Sequence, residues 1–236
     1  MPSTILLDEI AQKQAFFDQF CAAWSNDYNR SNGRLYCARG CSGCCSLVVN
    51  CTAPEAVIVA RALRPEQAAR LRASLPAIRS CAERAVTLKE WLTLYRAEGG
   101  PCPLLEPDGC CGIYPQRPLS CRSLLSTREP HWCTTDFSAL SSAEKQAFME
   151  GLDRSAVAFP THYAATPQEI AQELELATLR AMERHCGWSL LGNLPWLAGL
   201  ALDRGLAGLL DADPASARTA LEEQGLLHPF LAVLND

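Results

Sequence analysis

Apolar positions set out most of the elements before any chemistry is considered. Between Leu6 and Asp27, residues Ile10, Phe17, Phe20, Cys21 and Trp24 fall near one stripe of a helix, which puts Cys21 on a core face. Ser46 to Cys51 (SLVVNC) reads as a short strand, and Thr52-Ala-Pro-Glu55 has the form of a capping box opening a helix to Leu63. In that box the Glu55 side chain reaches back to the free amide at the cap. Pro65 suits a first helical turn, and Pro76 divides the next stretch into segments 65–74 and 77–97. Gly99-Gly100-Pro101 ends that run. Helices resume at the capping box Ser141-Ser-Ala-Glu144 and at Thr166-Pro-Gln-Glu169, the latter running to His185 with Gly187 as its stop. A last amphipathic helix starts at Asp213-Pro214 and stops at Gly225.

From Gly99 to Asp136 the periodicity disappears, Gly and Pro recur, and five cysteines occur. Apolar side chains are too few there to order the segment by packing alone, so ligand bonds would have to offset about 1–2 kcal/mol of backbone entropy per residue. The stretch Cys186 to Leu202 has 17 residues without a formal charge, interrupted by Asn193, Pro195 and glycines and followed at once by Asp203-Arg204. It reads as a buried hairpin or a partner-binding face rather than a membrane span, so no stable membrane insertion is expected. The fold class is mainly α, with helices packed around an irregular, metal-held cysteine-rich loop region and little strand. Residues 1–140 form a helical cysteine-cluster region and 141–236 a helical carboxyl-terminal region, packed together as one globular unit. Any protein partner is expected on the apolar carboxyl-terminal region.

Composition narrows the chemistry. A chain of 236 residues with 48% hydrophobic content can bury one sizeable core. The first residues, MPSTILLDEI, carry Asp8 and Glu9 where an export signal would place positive charge, so a cytoplasmic location is expected. Thirteen cysteines in a reducing compartment fit metal ligation better than disulfides, as does the odd count. A formal net charge of -5 argues against general nucleic-acid binding. Of 21 basic residues only Lys13, Lys89 and Lys145 are lysines, a bias that carries little functional weight.

Eight cysteines fall into two groups, Cys37-x3-Cys41-x2-Cys44-Cys45 and Cys102, Cys111, Cys121, Cys133. Thiolates are soft donors that suit Zn2+ or an iron-sulfur cluster and suit Mg2+ or Ca2+ poorly. Neighbours in an extended segment point to opposite sides, so Cys44 and Cys45 are not expected to grip one ion alike, and one of them serves a second centre or packs. Four thiolates on Zn2+, or on a four-iron cluster of core charge 2+, leave a net charge of -2 that calls for nearby donors or cations. Arg34, Arg39, Arg117, Arg122 and Arg128 stand close enough in sequence to serve, and Tyr114 could orient a substrate or donate to a sulfur. His131 lies two residues before Cys133 but is unneeded with eight thiolates. His162, His185 and His228 read as surface or capping residues, and Cys51, Cys81 and Cys186 as small buried hydrophobes. The C-x3-C-x2-C spacing also occurs in radical enzymes that bind S-adenosylmethionine at a four-iron cluster, yet those need a barrel of strands and helices that this chain lacks.

No G-x-G-x-x-G fingerprint, phosphate-binding loop or G-x-S-x-G nucleophile turn is present. The string Cys111-Gly-Ile-Tyr114-Pro-Gln-Arg117-Pro118-Leu-Ser-Cys121-Arg122, with the first group and the Thr52–Glu55 helix start, closely resembles the YkgJ-like cysteine-cluster family of zinc- or iron-chelating domains. The resemblance covers about Leu35 to Cys133. It implies Cys37, Cys41, Cys44, Cys45, Cys102, Cys111, Cys121 and Cys133 as the metal-associated set, with Cys110 an extra thiol that leaves either Cys110 or Cys111 as the ligand. Tyr114, Arg117 and Arg122 are the expected cofactor-contacting residues. Larger relatives include flagellin lysine N-methylases, for which an iron-sulfur cluster and S-adenosylmethionine are implied. Three functions are consistent with these features: a protein holding an iron-sulfur cluster, of the 4Fe-4S type, for electron transfer or an accessory role; a zinc-stabilised interaction module; and a methylase-like enzyme acting on a protein lysine. Irregular spacings and vicinal cysteines favour the first over the paired C-x2-C knuckles of structural zinc modules.

Overall fold

The computed structural model describes residues 2–31 and 33–235, and the elements with local start signals begin within two residues of them. In chain order the helices are α1 (Pro2–Arg30), α2 (Ala53–Ala62), α3 (Pro65–Arg84), α4 (Leu88–Leu94), α5 (Leu119–Arg122), α6 (His131–Thr134), α7 (Ser142–Glu150), α8 (Ala165–Cys186), α9 (Leu194–Asp203), α10 (Leu206–Leu209) and α11 (Pro214–Glu223). Strands β1 (Asn50–Thr52), β2 (Ser189–Asn193) and β3 (Ala232–Asn235) form one antiparallel sheet with β2 in the centre. The chain is thus mainly helical, at 60% helix and 8% strand.

Capping chemistry explains the starts. Thr52 N–H and its hydroxyl both donate to Glu55 Oε2 at 2.9 Å, closing the reciprocal box at α2. Ser141 and Glu144 do the same for α7, and the Asp213 side chain accepts from Ser216 N–H at α11. Gly187 takes the left-handed conformation that stops α8. The helix expected to start at Thr166 begins at Ala165 instead.

Pro76 does not divide the segment after Pro65, as the sequence suggested. α3 runs through it, because Leu71, Ile78, Cys81 and Ala82 on either side all face the core and hold the stripe together despite one missing N–H donor. The break falls later, at a second capping box between Thr87 and Glu90 that opens α4. The uncharged run after Cys186 is consumed by the interior: it forms β2 and α9, with Trp188, Leu190, Leu197 and Ala198 buried, and α9 lies across α2 and α3. The sequence regions 1–140 and 141–236 therefore share one sheet and one core. Among the described residues no helix is long and apolar enough to cross a membrane.

The cysteine-rich loop region is irregular but not poor in anchors. Leu104, Ile113 and Leu119 are all buried, the first two in the main core and Leu119 with Phe17, Cys21 and Ala171 in a smaller cluster. Packing thus contributes to its order, a correction to the expectation that it depends on ligand bonds alone.

In the sheet, Gly192 sits opposite Ala232, and a Cβ at that position would stand 2.1 Å from the Leu231 carbonyl oxygen. Replacing Gly192 with Ala should therefore push β3 away and destabilise the protein by about 1–3 kcal/mol, read as a lower urea midpoint. An unchanged midpoint would show that β3 does not seat against β2 in this way.

Candidate metal centre

The first cysteine group lies on the connection between α1 and β1, where Gly40 turns with φ 82° and a 3-10 turn over Gly43–Ser46 carries Cys44 and Cys45. Three separate segments of the second group are tied to it or to the elements beside it. Cys102 N–H donates to the Cys45 carbonyl at 2.8 Å, joining the two groups through the backbone. From there residues 102–112 form a tight hairpin, with Gly112 N–H donating to the Leu104 carbonyl at 2.9 Å. Buried Gln67 at the start of α3 holds that hairpin, donating to the Gly112 carbonyl (3.1 Å) and to Glu106 (2.7 Å) while accepting from Arg64 N–H (2.8 Å).

The second tie positions Cys121. Glu55, fully buried, uses its other oxygen to accept from Leu119 N–H at 2.8 Å, and Ser120 Oγ donates to the Asn50 carbonyl at 2.5 Å. The third positions Cys133: α6 packs so closely on the 3-10 turn that a Cβ on Gly43 would lie 2.8 Å from Cys133 Cβ. Nearby, Ser126 N–H donates to Cys37 Sγ at 3.2 Å.

These ties place the thiols around two adjoining cavities of about 530 and 500 Å3. Cys45, Cys102, Cys110 and Cys111 border the first only, Cys37 and Cys133 the second only, and Cys41, Cys44 and Cys121 both. Tetrahedral zinc about 2.3 Å from each sulfur would hold its sulfurs about 3.8 Å apart. Among the described residues no three Cys, His, Asp or Glu side chains close in tightly enough to hold one ion. All thirteen cysteines are free thiols.

Electrostatics explain what such voids lack. Burial pushes Cys102 and Cys37 up to about 11, and pushes Cys121 well above the ordinary thiol value. Cys37 is exposed as a residue, but its sulfur turns inward toward the 124–126 loop. Burial also raises Cys111 and Cys133, and the neighbouring Cys45 thiol followed by burial raises Cys44. Thiolates in these positions need a cation, and a metal centre would supply it. The donor set therefore fits zinc or an iron-sulfur cluster chemically.

Arg117 and Tyr114 border both cavities, with the Arg117 guanidinium 3.6 Å from the centre of the Tyr114 ring. Arg39 also borders both. Arg122 borders the second, yet its donors are committed: Nε to the Arg117 carbonyl at 2.6 Å, and the two terminal nitrogens to Asp18 and to the Pro115 carbonyl. It fastens the 115–117 turn to α1. Arg34 lies over the Tyr36 ring and Arg128 donates to the Gly151 carbonyl, away from both cavities.

One residue expected at the periphery lies inside. His162 is buried, with Nε2 3.4 Å from Cys133 Sγ, and burial drops it to about 4, so it is neutral at physiological pH. Its neighbour Tyr163 borders the second cavity. No local spacing signals this, because His162 arrives from a loop 29 residues beyond Cys133. Cys51, Cys81 and Cys186 are buried as expected, while Cys21, also in a core cluster, additionally borders the second cavity.

If α6 must sit against the 3-10 turn for Cys133 to reach the cavity, Gly43→Ala should displace it. The variant is expected to cost about 1–3 kcal/mol and to retain less metal per chain than the parent, measured by elemental analysis after gel filtration. Full metal content with unchanged stability would contradict the close approach.

Neither the curated proteins nor the solved structures contain a match to this chain. The segment carrying all eight expected ligands does match a family model: residues 36–140 are similar to the CxxCxxCC family, described as a putative zinc- or iron-chelating domain.

Proposed function

We propose that this protein holds an iron-sulfur cluster through the convergent cysteines and serves electron transfer or a cluster-dependent accessory role. One observation carries the reading: cysteines far apart in sequence border the same two adjoining cavities, of about 530 and 500 Å3. A polynuclear core held by several thiolates would fill more of such space than a single zinc ion. When bound, the cluster would supply one-electron redox chemistry. The chain's own residues set its surroundings. Ser126 N–H donates to Cys37, Arg39 and Arg117 bring positive charge to the cavity walls, and Leu47, Val49, Ile113, Leu124 and Leu194 line the first cavity with apolar surface. Hydrogen bonds to sulfur and restricted solvent are the means by which proteins adjust cluster potential.

Purification without oxygen tests this directly. The expected product is brown, with broad visible absorption that bleaches on reduction, and with iron and acid-labile sulfide in equal amounts. Colourless protein carrying stoichiometric zinc and no sulfide would overturn the cluster reading in favour of a zinc-stabilised module.

A further inference from the structure

Two adjoining cavities meet at the cysteines and share Cys41, Cys44 and Cys121, while Cys37 and Cys133 border only one and Cys45, Cys102 and Cys111 only the other. Resting on the metal-binding reading above, we propose that the chain builds two four-thiolate centres side by side: Cys37, Cys41, Cys44 and Cys133 at one, and Cys45, Cys102, Cys111 and Cys121 at the other.

The vicinal pair decides the division. Cys44 borders both cavities and Cys45 only the first, so of the two adjacent residues Cys44 is the one that shares a chamber with Cys37 and Cys133. The Cys45 carbonyl accepts the Cys102 N–H at 2.8 Å, which holds the backbones of these two first-chamber residues together. Cys37 and Cys133 border only the second chamber, where Cys41 and Cys44 join them from the same loop as Cys37. Cys121 stands on the shared wall, but it packs against the main core together with Cys102 and Cys111, which assigns it to the first set. Each set then has four thiolates, and Cys110, at the rim of the first chamber, is surplus.

Charge supports the pairing of chambers. Two centres each carrying -2 would repel across the shared wall, and Arg39 and Arg117 both stand at that wall, bordering each cavity.

The test uses the full-length protein, purified and reconstituted with iron and sulfide without oxygen. Iron, zinc and sulfide are counted in the parent, in Cys133→Ser and Cys102→Ser, and in the double variant, with circular dichroism to check folding. Each single variant is expected to keep about half of the parent's metal and the double variant almost none. Paramagnetic resonance of the reduced parent should show two interacting clusters, reduced to one isolated signal in either single variant. Should Cys133→Ser or Cys102→Ser fail to fold, Cys37→Ser or Cys111→Ser makes the same test from the same chamber. Loss of all metal in a folded single variant, or loss from one chamber's variant only, overturns the two-centre assignment while leaving the cluster reading intact. Colourless protein whose zinc falls by half in each single variant keeps the two sites and removes the cluster reading, so the two failures are distinct.

Discussion

The buried carboxylate of Glu55 is the constraint on which the cysteine region depends. One oxygen closes the cap of α2 through Thr52, and the other accepts from Leu119 N–H, 64 residues away. A single side chain therefore fixes both the end of the strand that comes after the first cysteine group and the start of the helical turn that carries Cys121. Burial raises its pKa, and the hydrogen bonds from Leu119 and Thr52, with the nearby Arg122, act in the opposite sense. Removing such an acceptor would leave buried N–H groups unsatisfied, the expensive side of hydrogen-bond energetics.

Around that pin the other ties act in concert. Gln67 holds the 102–112 hairpin, Arg122 holds the 115–117 turn on α1, and Gly43 lets Cys133 approach. These contacts join the segments that carry the cysteines bordering the two cavities. Yet the thiols are held protonated by burial, and the voids between them need positive charge before they can bear thiolates. A scaffold that gathers cysteines around such cavities is chemically suited to a soft metal centre, whether zinc or iron.

Local signals were legible and distant ones were not. The starts at Thr52, Ser141 and Asp213 could be read because a cap acts within three residues. The two cysteine groups could be read because eight soft donors at such spacings have few other uses. β2 left no alternating pattern, since both of its faces are mostly buried, and β3 is four residues that find their partner 40 residues upstream. Pro76 misled because core packing on both sides outweighs one lost helical bond. The roles of Gln67, Gly43 and His162 come from contacts between segments far apart in the chain, and Arg122 proved to be an anchor for the turn beside Tyr114. The apolar carboxyl-terminal run marked the core centre, because α9 finds α2 and α3 within its own chain.

The cluster proposed above requires that metal bound here be surrounded by sulfur from both cysteine groups and lie next to other metal atoms. X-ray absorption at the iron edge of anaerobically isolated protein measures this directly. The predicted result is a first shell of sulfur alone, with a clear iron–iron scattering path beyond it. A first shell of oxygen and nitrogen, or sulfur with no neighbouring metal, would contradict it.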